Sequence, residues 1–522
     1  MAKLHEKSRQ KSNFFSQQSA FERELVPYSI DRDAMIPKQR NSPKRCGGIP
    51  LSYNDDSKLI YVDSEDSHTL IFGSTGSKKS RLIAMPTIRI LCAAKESMII
   101  ADPKGELYDY TSALLKKKNY NILAINLREP KSSHSWNPLA IPYKFYCEGD
   151  IDKACTLIND IATNLIGISK AVKDPFWDNS ASSFFFGLTL LLFKYCKEYK
   201  HPPEAVHLGN VVALRNKIFD AKDLVDLNSS GSNIKPNEEI TNFYRNDFII
   251  SSALAGTIVA TGGTKASILT TFDQKMRMFS MQPCLLDMLA VNDIDTSEFI
   301  KRPTACFLIA PDEKTTYHPL LTLFIKQSYE LLLDNIHNLQ YKNKKPNEHI
   351  RVNYILDEFS SLPTIEDFPA MITAARSRDI RFNIFIQSKN QLRQRYGDEA
   401  GTIQDNCTNW IFLNSRELEL LREISDLCGT DYRNNGGNER PIVAVDELQR
   451  LDKKSGEILI LSGRRKPYVA KLPDIEEYGE HSKCDISLPI SNRKRRIDLD
   501  FIFSASHGNF EYEYIRAKFK NN

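Results

Sequence analysis

No stretch of this 522-residue chain is apolar for long enough to cross a bilayer. The longest such run, Phe184 to Phe193, is about half of the roughly 20 residues that a spanning helix needs. The first residues, MAKLHEKSRQKSNFF, carry positive charge with no apolar stretch behind it, which excludes a secretory signal. The ten cysteines stand singly, without a CxxC pair or a Cys/His cluster at metal-ligand spacing, so neither a zinc ribbon nor a thioredoxin-type motif is expected. Scattered cysteines of this kind suit a reducing compartment, and with the other absences they predict a cytoplasmic protein. A strong charge of either sign is also missing: 70 Lys and Arg against 66 Asp and Glu leave a net +4. Charge alone therefore does not imply nucleic-acid binding, although it leaves room for a local basic surface. There is no internal repeat. With 41% hydrophobic and 26% charged residues, the composition is that of folded protein, and the length allows two or three domains.

What is present is a series of short apolar runs bounded by turn residues: HTLIFG, SMIIADP, NILAINL, TACFLIAP, VNYILDEF, RFNIFIQS, NWIFLNS and GEILILSG. Each reads as a buried strand, and segments of helical pattern separate several of them. Strands alternating with helices predict an α/β fold with a doubly wound, mainly parallel sheet. Between about residues 143 and 300 strand signals almost vanish, and DIDKACTLINDIATNLIGI and ASSFFFGLTLLLFKYCKEY read as helices. The expected organisation is a polar, basic arm (1–47) without assigned fold, a first part of a nucleotide-binding domain (48–142), an all-helical insertion (143–300), the second part of the nucleotide-binding domain (301–480), and a polar C-terminal tail (481–522) holding the basic cluster Arg493, Lys494, Arg495 and Arg496.

The strand HTLIF runs straight into Gly73, Ser74, Thr75, Gly76, Ser77, Lys78, Lys79 and Ser80, and then into RLIAMPTIRIL with a helical apolar pattern. Strand, glycine-bearing loop and helix form the context of a phosphate-binding loop. Backbone N–H groups there surround phosphate oxygens, because those donors lack other partners and the helix dipole favours negative charge. Lys79 is expected to reach the β and γ phosphates and Ser80 to ligate Mg2+. The usual pattern has glycine where this chain has Lys78, and a side chain there crowds a close approach of backbone to phosphate. A strand-to-helix turn with no ligand is the alternative.

VNYIL delivers Asp357 and Glu358 at the end of a buried strand, the pattern of a Walker B site. Adjacent acids have separate tasks there: Asp357 would serve the metal and Glu358 the attacking water. Gln387, at the end of RFNIFIQS, would sense the γ phosphate if its strand is the neighbour, and would otherwise be an ordinary strand-end amide. In MITAARSRDIRF, Arg376 or Arg378 would act as an arginine finger toward a neighbouring subunit, or be a solvated helix residue.

With these motifs in order, the chain resembles the conjugative coupling ATPases of type IV secretion, the TraG/TraD group, over about residues 66 to 475. The phosphate loop followed by MPTI, the block ADPKGELYDYTSALLKKKNYNILAINLREPKSSHSWNPL, KDPFWDNSASSFFFGLTLLLF, the stretch ILDEFSSLPTIEDFPAMITAARSRDIRFNIFIQSKNQL and LSGRRKPYVAKLP all carry the likeness. The resemblance implies a RecA-like P-loop NTPase with an inserted all-α domain. ATP and Mg2+ would be held by Gly73 to Ser80 with Asp357, and Lys79, Glu358, Gln387 and Arg376 would act in catalysis. Asp102, Lys104 and Glu106 match the block beside the phosphates, although Asp102-Pro103 also suits a helix cap.

The implied function is an ATP-driven coupling protein, a homo-hexamer that pumps DNA without sequence preference toward a type IV secretion channel. Its partners would be a relaxase–DNA complex or another secretion substrate, and the channel or a membrane-anchor protein that holds it at the cytoplasmic face of the membrane. Two other readings stand beside it: a nucleotide-binding adaptor that recruits substrates with little hydrolysis, and a soluble DNA-handling motor of the same fold used in defence or DNA processing.

Overall fold

A computed structural model of the chain describes residues 22–30, 46–167, 175–219, 236–311, 315–343, 349–431, 440–463, 465–478, 496–501 and 503. Fourteen strands lie among them: β1 Val26–Ser29, β2 Ile49–Asn54, β3 Leu59–Asp63, β4 Thr69–Gly73, β5 Ser97–Ala101, β6 Asn121–Asn126, β7 Thr304–Ile309, β8 Val352–Leu356, β9 Ile380–Ile386, β10 Asn409–Asn414, β11 Thr430–Asp431, β12 Arg440–Pro441, β13 Glu457–Ser462 and β14 Tyr468–Lys471. The chain divides into two compact units. The first spans residues up to His134 and from Ile294 to Ile490, and the second takes Ser135–Asp293 with the described residues near the C-terminus.

The first unit is α/β. Its nine-stranded sheet has the order β14-β13-β10-β4-β9-β8-β5-β7-β6. All eight apolar runs of the sequence are strands of this sheet, and seven of them, β10 through β6, run parallel. Strands such as TLIFG and SMIIA are buried along their whole length, because helices in the crossovers leave neither face to water. GEILILSG, however, becomes β13, which runs antiparallel to β10 and is followed by the antiparallel edge strand β14.

The sequence reading assigns no fold to residues 1–47, yet Val26–Ser29 pairs antiparallel with β3, and β3 pairs with β2, to make a separate three-stranded sheet. Its apolar face, with Tyr28, Leu51, Ile60 and Val62, joins the core that surrounds the helix Met85–Ala94. A buried ion cluster ties this small sheet to the large one. Glu96 accepts from Arg381 at 2.7 Å, from Asn353 at 3.0 Å and from the Gly47 amide at 3.0 Å, while Arg381 also donates to the Gly47 carbonyl. Every oxygen of the buried carboxylate thus has a donor, which is what makes a buried charge tolerable.

His68 fixes the entry to β4. Its Nδ1 accepts the Phe382 amide at 3.0 Å, so Nε2 carries the proton and donates to the Ile372 carbonyl at 2.9 Å. Burial lowers its pKa from 6.5 to about 4. Below pH 6.5 the unfolded chain takes up a proton that the folded chain refuses, so this contribution to stability falls as pH drops toward 4. Between pH 7 and pH 5 the loss is about 2 kcal/mol. Urea unfolding of the wild type and His68→Gln at both pH values should return this difference in slope; equal slopes would refute it.

The second unit is all-helical among its described residues. Its longest helices are Phe176–Glu198 and Gly262–Met281, with Ile151–Ile166, Leu208–Ile218 and Phe248–Val259 beside them. Two helices start at aspartate caps: Asp150 accepts the Lys153 amide and Asp247 the Ile250 amide. Phe184 meets Phe272 edge-on at 5.3 Å in the core. Residues 496–501 and 503 pack on this unit. Asn210 donates to the Ile497 carbonyl at 2.8 Å and accepts the Leu499 amide, Arg496 binds Asp287, and the Phe501 and Phe503 rings lie against Tyr195. Arg493, Lys494 and Arg495 lie outside the described residues. Among the described residues no helix is long and apolar enough to cross a membrane.

Candidate functional site

Parallel pairing puts the C-terminal ends of β4, β9 and β8 side by side. Phe72 pairs with Ile386, and Leu356 with Ile384, so the loop after β4, Gln387 after β9 and Asp357-Glu358 after β8 leave the sheet at one edge.

The loop needs its glycines in two different ways. A Cβ on Gly73 would stand 2.5 Å from Ser77 Oγ and 2.9 Å from Lys79 Cγ, so packing forbids it. Gly76 has φ +74 and open space around it, so conformation forbids it. Lys78, which replaces the expected third glycine, also takes the left-handed backbone, φ +67. Lys79 folds back to donate to the Gly73 carbonyl at 2.5 Å and is largely buried. Burial lowers its pKa, and the Glu358 and Asp357 carboxylates oppose that shift. Ser77 Oγ is buried without a hydrogen-bond partner among the described residues.

The helix that follows opens with a wide π turn, Ser80–Ala84, and no side chain caps its first N–H groups. Open donors at a helix start form an anion site. The loop is held from the ends of two strands, β10 and β9: Ser74 donates to Asn414 Oδ1 through its amide at 3.0 Å and its hydroxyl at 2.9 Å, and Thr75 donates to Gln387 Oε1 at 3.3 Å.

Gln387 in turn donates to Glu358 Oε2 at 2.6 Å, which makes a chain from loop to amide to carboxylate. Glu358 sits in a left-handed backbone, φ 53, a conformation that non-glycine residues hold only when their surroundings impose it. Asp357 accepts the Glu358 amide at 3.1 Å and the Ser80 hydroxyl at 3.4 Å. Burial and then the neighbouring Glu358 raise its pKa to about 6, with Lys79 opposing. A hydroxyl beside two crowded carboxylates fits a divalent cation, whose charge would relieve their repulsion.

Asp102 is buried and accepts the Tyr108 amide at 2.8 Å, in the first turn of the helix Glu106–Lys117. Burial raises its pKa to about 7, with Asp357 adding to the shift. The carboxylate is thus aimed at a helix start, while Lys104 and Glu106 are exposed.

Arg376 and Arg378 are not brought to this edge. They are exposed on the turn Arg376–Arg378, just before β9 begins. The seven residues of β9 separate them from Gln387, or roughly 23 Å of strand.

Three residues in contact with the loop carry no motif, Asn414, Lys453 and Asp474, and Arg81 joins them through Asp474. Asn414 alone had a signal, a second amide ending a buried strand. Lys453 reaches the Gly76 carbonyl at 3.2 Å, and Asp474 takes Lys78 and Arg81.

The sequence matches the family described as Type IV secretory system Conjugative DNA transfer over residues 24–437. The chain belongs to that family. It is 24% identical over 470 residues to the conjugal transfer protein TraG of Escherichia coli, covering 81% of this chain and 68% of that protein. Against Protein VirD4 of Rhizobium rhizogenes it is 22% identical over 453 residues, covering 81% of this chain and 59% of VirD4. The plasmid coupling protein TrwB in complex with ADP and Mg2+ superposes with a TM-score of 0.57 at 16% identity, over 86% of this chain and 93% of TrwB. TrwB with a non-hydrolysable ATP analogue gives 0.56 at 15% identity, over 82% and 89%. The fold of this member of the conjugative DNA transfer family is thus the RecA-like P-loop fold.

Proposed function

We propose that the chain is the coupling ATPase of a conjugative DNA-transfer system. The observation that carries this reading is the hydrogen-bonded chain from Thr75 through Gln387 to Glu358, beside the Ser80–Asp357 contact. It joins a phosphate loop, a sensing amide and a water-orienting carboxylate at one sheet edge. The loop amides and Lys79 hold the phosphates, and Ser80 and Asp357 hold Mg2+. When bound, the metal neutralises charge on the phosphate oxygens. Glu358 orients and deprotonates the attacking water. Gln387 binds both the loop and Glu358, so it can report the γ phosphate to the carboxylate.

Arg376 is too far along the sheet to serve its own site, which suits a finger given to the next copy in a ring. Hydrolysis would drive DNA, held through its phosphates without sequence preference, toward a type IV secretion channel. A relaxase–DNA complex or another secretion substrate is the cargo. Association with the cytoplasmic face of the membrane would come from the channel or an anchor protein.

Phosphate release measured over a range of protein concentrations, with and without DNA, tests this reading. Turnover per chain should rise with concentration as neighbours supply Arg376, and should rise again with DNA and fall with salt. Nucleotide binding with no turnover under any of these conditions would favour the recruiting adaptor.

A further inference from the structure

Lys78 breaks the glycine pattern, and the structure contains a device that answers it. The left-handed backbone at Lys78 costs a residue with a Cβ roughly 1 kcal/mol or more. Its ammonium group is not left to choose its direction: it binds Asp474 Oδ2 at 3.0 Å. The same carboxylate receives Arg81 through Nε at 2.9 Å, and Arg81 continues to Glu476. Burial would raise the pKa of Asp474, but Arg81 and Lys78 outweigh that and hold it below the ordinary value. Asp474 follows β14 and is fixed by its own turn, in which its amide donates to Glu477 Oε1. Before β13, Lys453 grips the Gly76 carbonyl. The antiparallel edge β13–β14 therefore braces the loop from both of its flanks.

We infer that Asp474 is a positioning residue for the phosphate loop, matched to Lys78: it holds the Lys78 side chain off the phosphate position and fixes the backbone that glycine would otherwise adopt unaided. This rests on the nucleotide-binding reading above. A lysine pointing the other way would place a second ammonium among the open amides and compete with Lys79 for the same oxygens. The tie to Asp474 removes that competition, and the Arg81 link sets the angle at which the helix leaves the loop.

The test is a double-mutant cycle with Asp474→Asn in the Lys78 and Lys78→Gly backgrounds, read by calorimetric ATP affinity and by hydrogen exchange of the Ser77 to Leu82 amides without nucleotide. Asp474→Asn should weaken ATP about tenfold, as expected when a partly buried charge-assisted pair is lost, and should speed exchange across the loop. In the Lys78→Gly background both effects should shrink, to less than about twofold in affinity, a rescue that a merely structural role of Asp474 would not allow. Lys78→Met, which keeps the Cβ but has no ammonium to tie or to compete, should speed exchange as Asp474→Asn does while losing less affinity. Equal effects of Asp474→Asn in both backgrounds, in affinity or exchange, would overturn the inference. If the wild type binds no ATP, the functional reading fails, and the exchange arm still decides for or against the pairing.

Discussion

Lys79→Ala should remove ATP binding and turnover together. Lys79 is the buried cation of the loop, and its ammonium, 2.5 Å from the Gly73 carbonyl, is held inside the curve of backbone that carries the open amides. Burial lowers its pKa, so the site is short of solvent to stabilise the charge, and an arriving phosphate supplies what water does not. Losing one preorganised donor of this kind costs about 100- to 1000-fold. The alanine variant also empties the space that the lysine stem fills beside Gly73, which loosens the packing on that side of the loop. Calorimetry with ATP and Mg2+ measures the first effect and steady-state phosphate release the second, with circular dichroism as the check that the sheet is intact. An affinity within threefold of the wild type would take Lys79 out of the phosphate site.

The sheet and the loop could be read from sequence for a simple reason. A strand buried on both faces must be apolar along its length, and a loop that wraps phosphate must carry glycine, so TLIFG followed by GSTGS states both requirements locally. Asp357-Glu358 and Gln387 were visible for the same reason, since each ends such a strand. What could not be read depends on pairing between distant segments. Nothing in GEILILSG says that it runs antiparallel to NWIFLN, because direction is decided by pairing with a distant segment rather than by the strand itself. The strand Val26–Ser29 was hidden in a polar leader because four residues with two inward side chains make too short an apolar signal. Asp102 reads equally as phosphate-side acid or helix cap. Its contact with the Tyr108 amide turns it toward the first turn of a helix, where it still feels the charge of Asp357. Asp474 had no signal at all, since it meets Lys78 from 396 residues away.

Glu358→Gln should separate binding from hydrolysis. The carboxylate now accepts the Gln387 amide at 2.6 Å, and a glutamine in its place can still accept that bond through its side-chain oxygen. The left-handed backbone at position 358 belongs to the turn after β8, where Ser361 donates both its amide and its hydroxyl to the Glu358 carbonyl, so the substitution leaves that frame untouched. The change also removes a like charge beside Asp357, whose carboxyl is raised to about 6 by burial and by that neighbour. Asp357 and Ser80 should then hold a divalent cation at least as well as before. On the proposed reading, what is lost is the group that takes the proton from the attacking water, and loss of a positioned general base slows the chemical step by about 100- to 10,000-fold. ATP affinity should stay within a few fold of the wild type while turnover falls by at least about 100-fold, and the variant should trap ATP rather than release ADP. Unchanged turnover would remove Glu358 from the role of base. A wild type that is already as slow as the variant would mean that the carboxylate is poised but unused, and the recruiting adaptor would then be the better account of this loop with a lysine in place of its glycine.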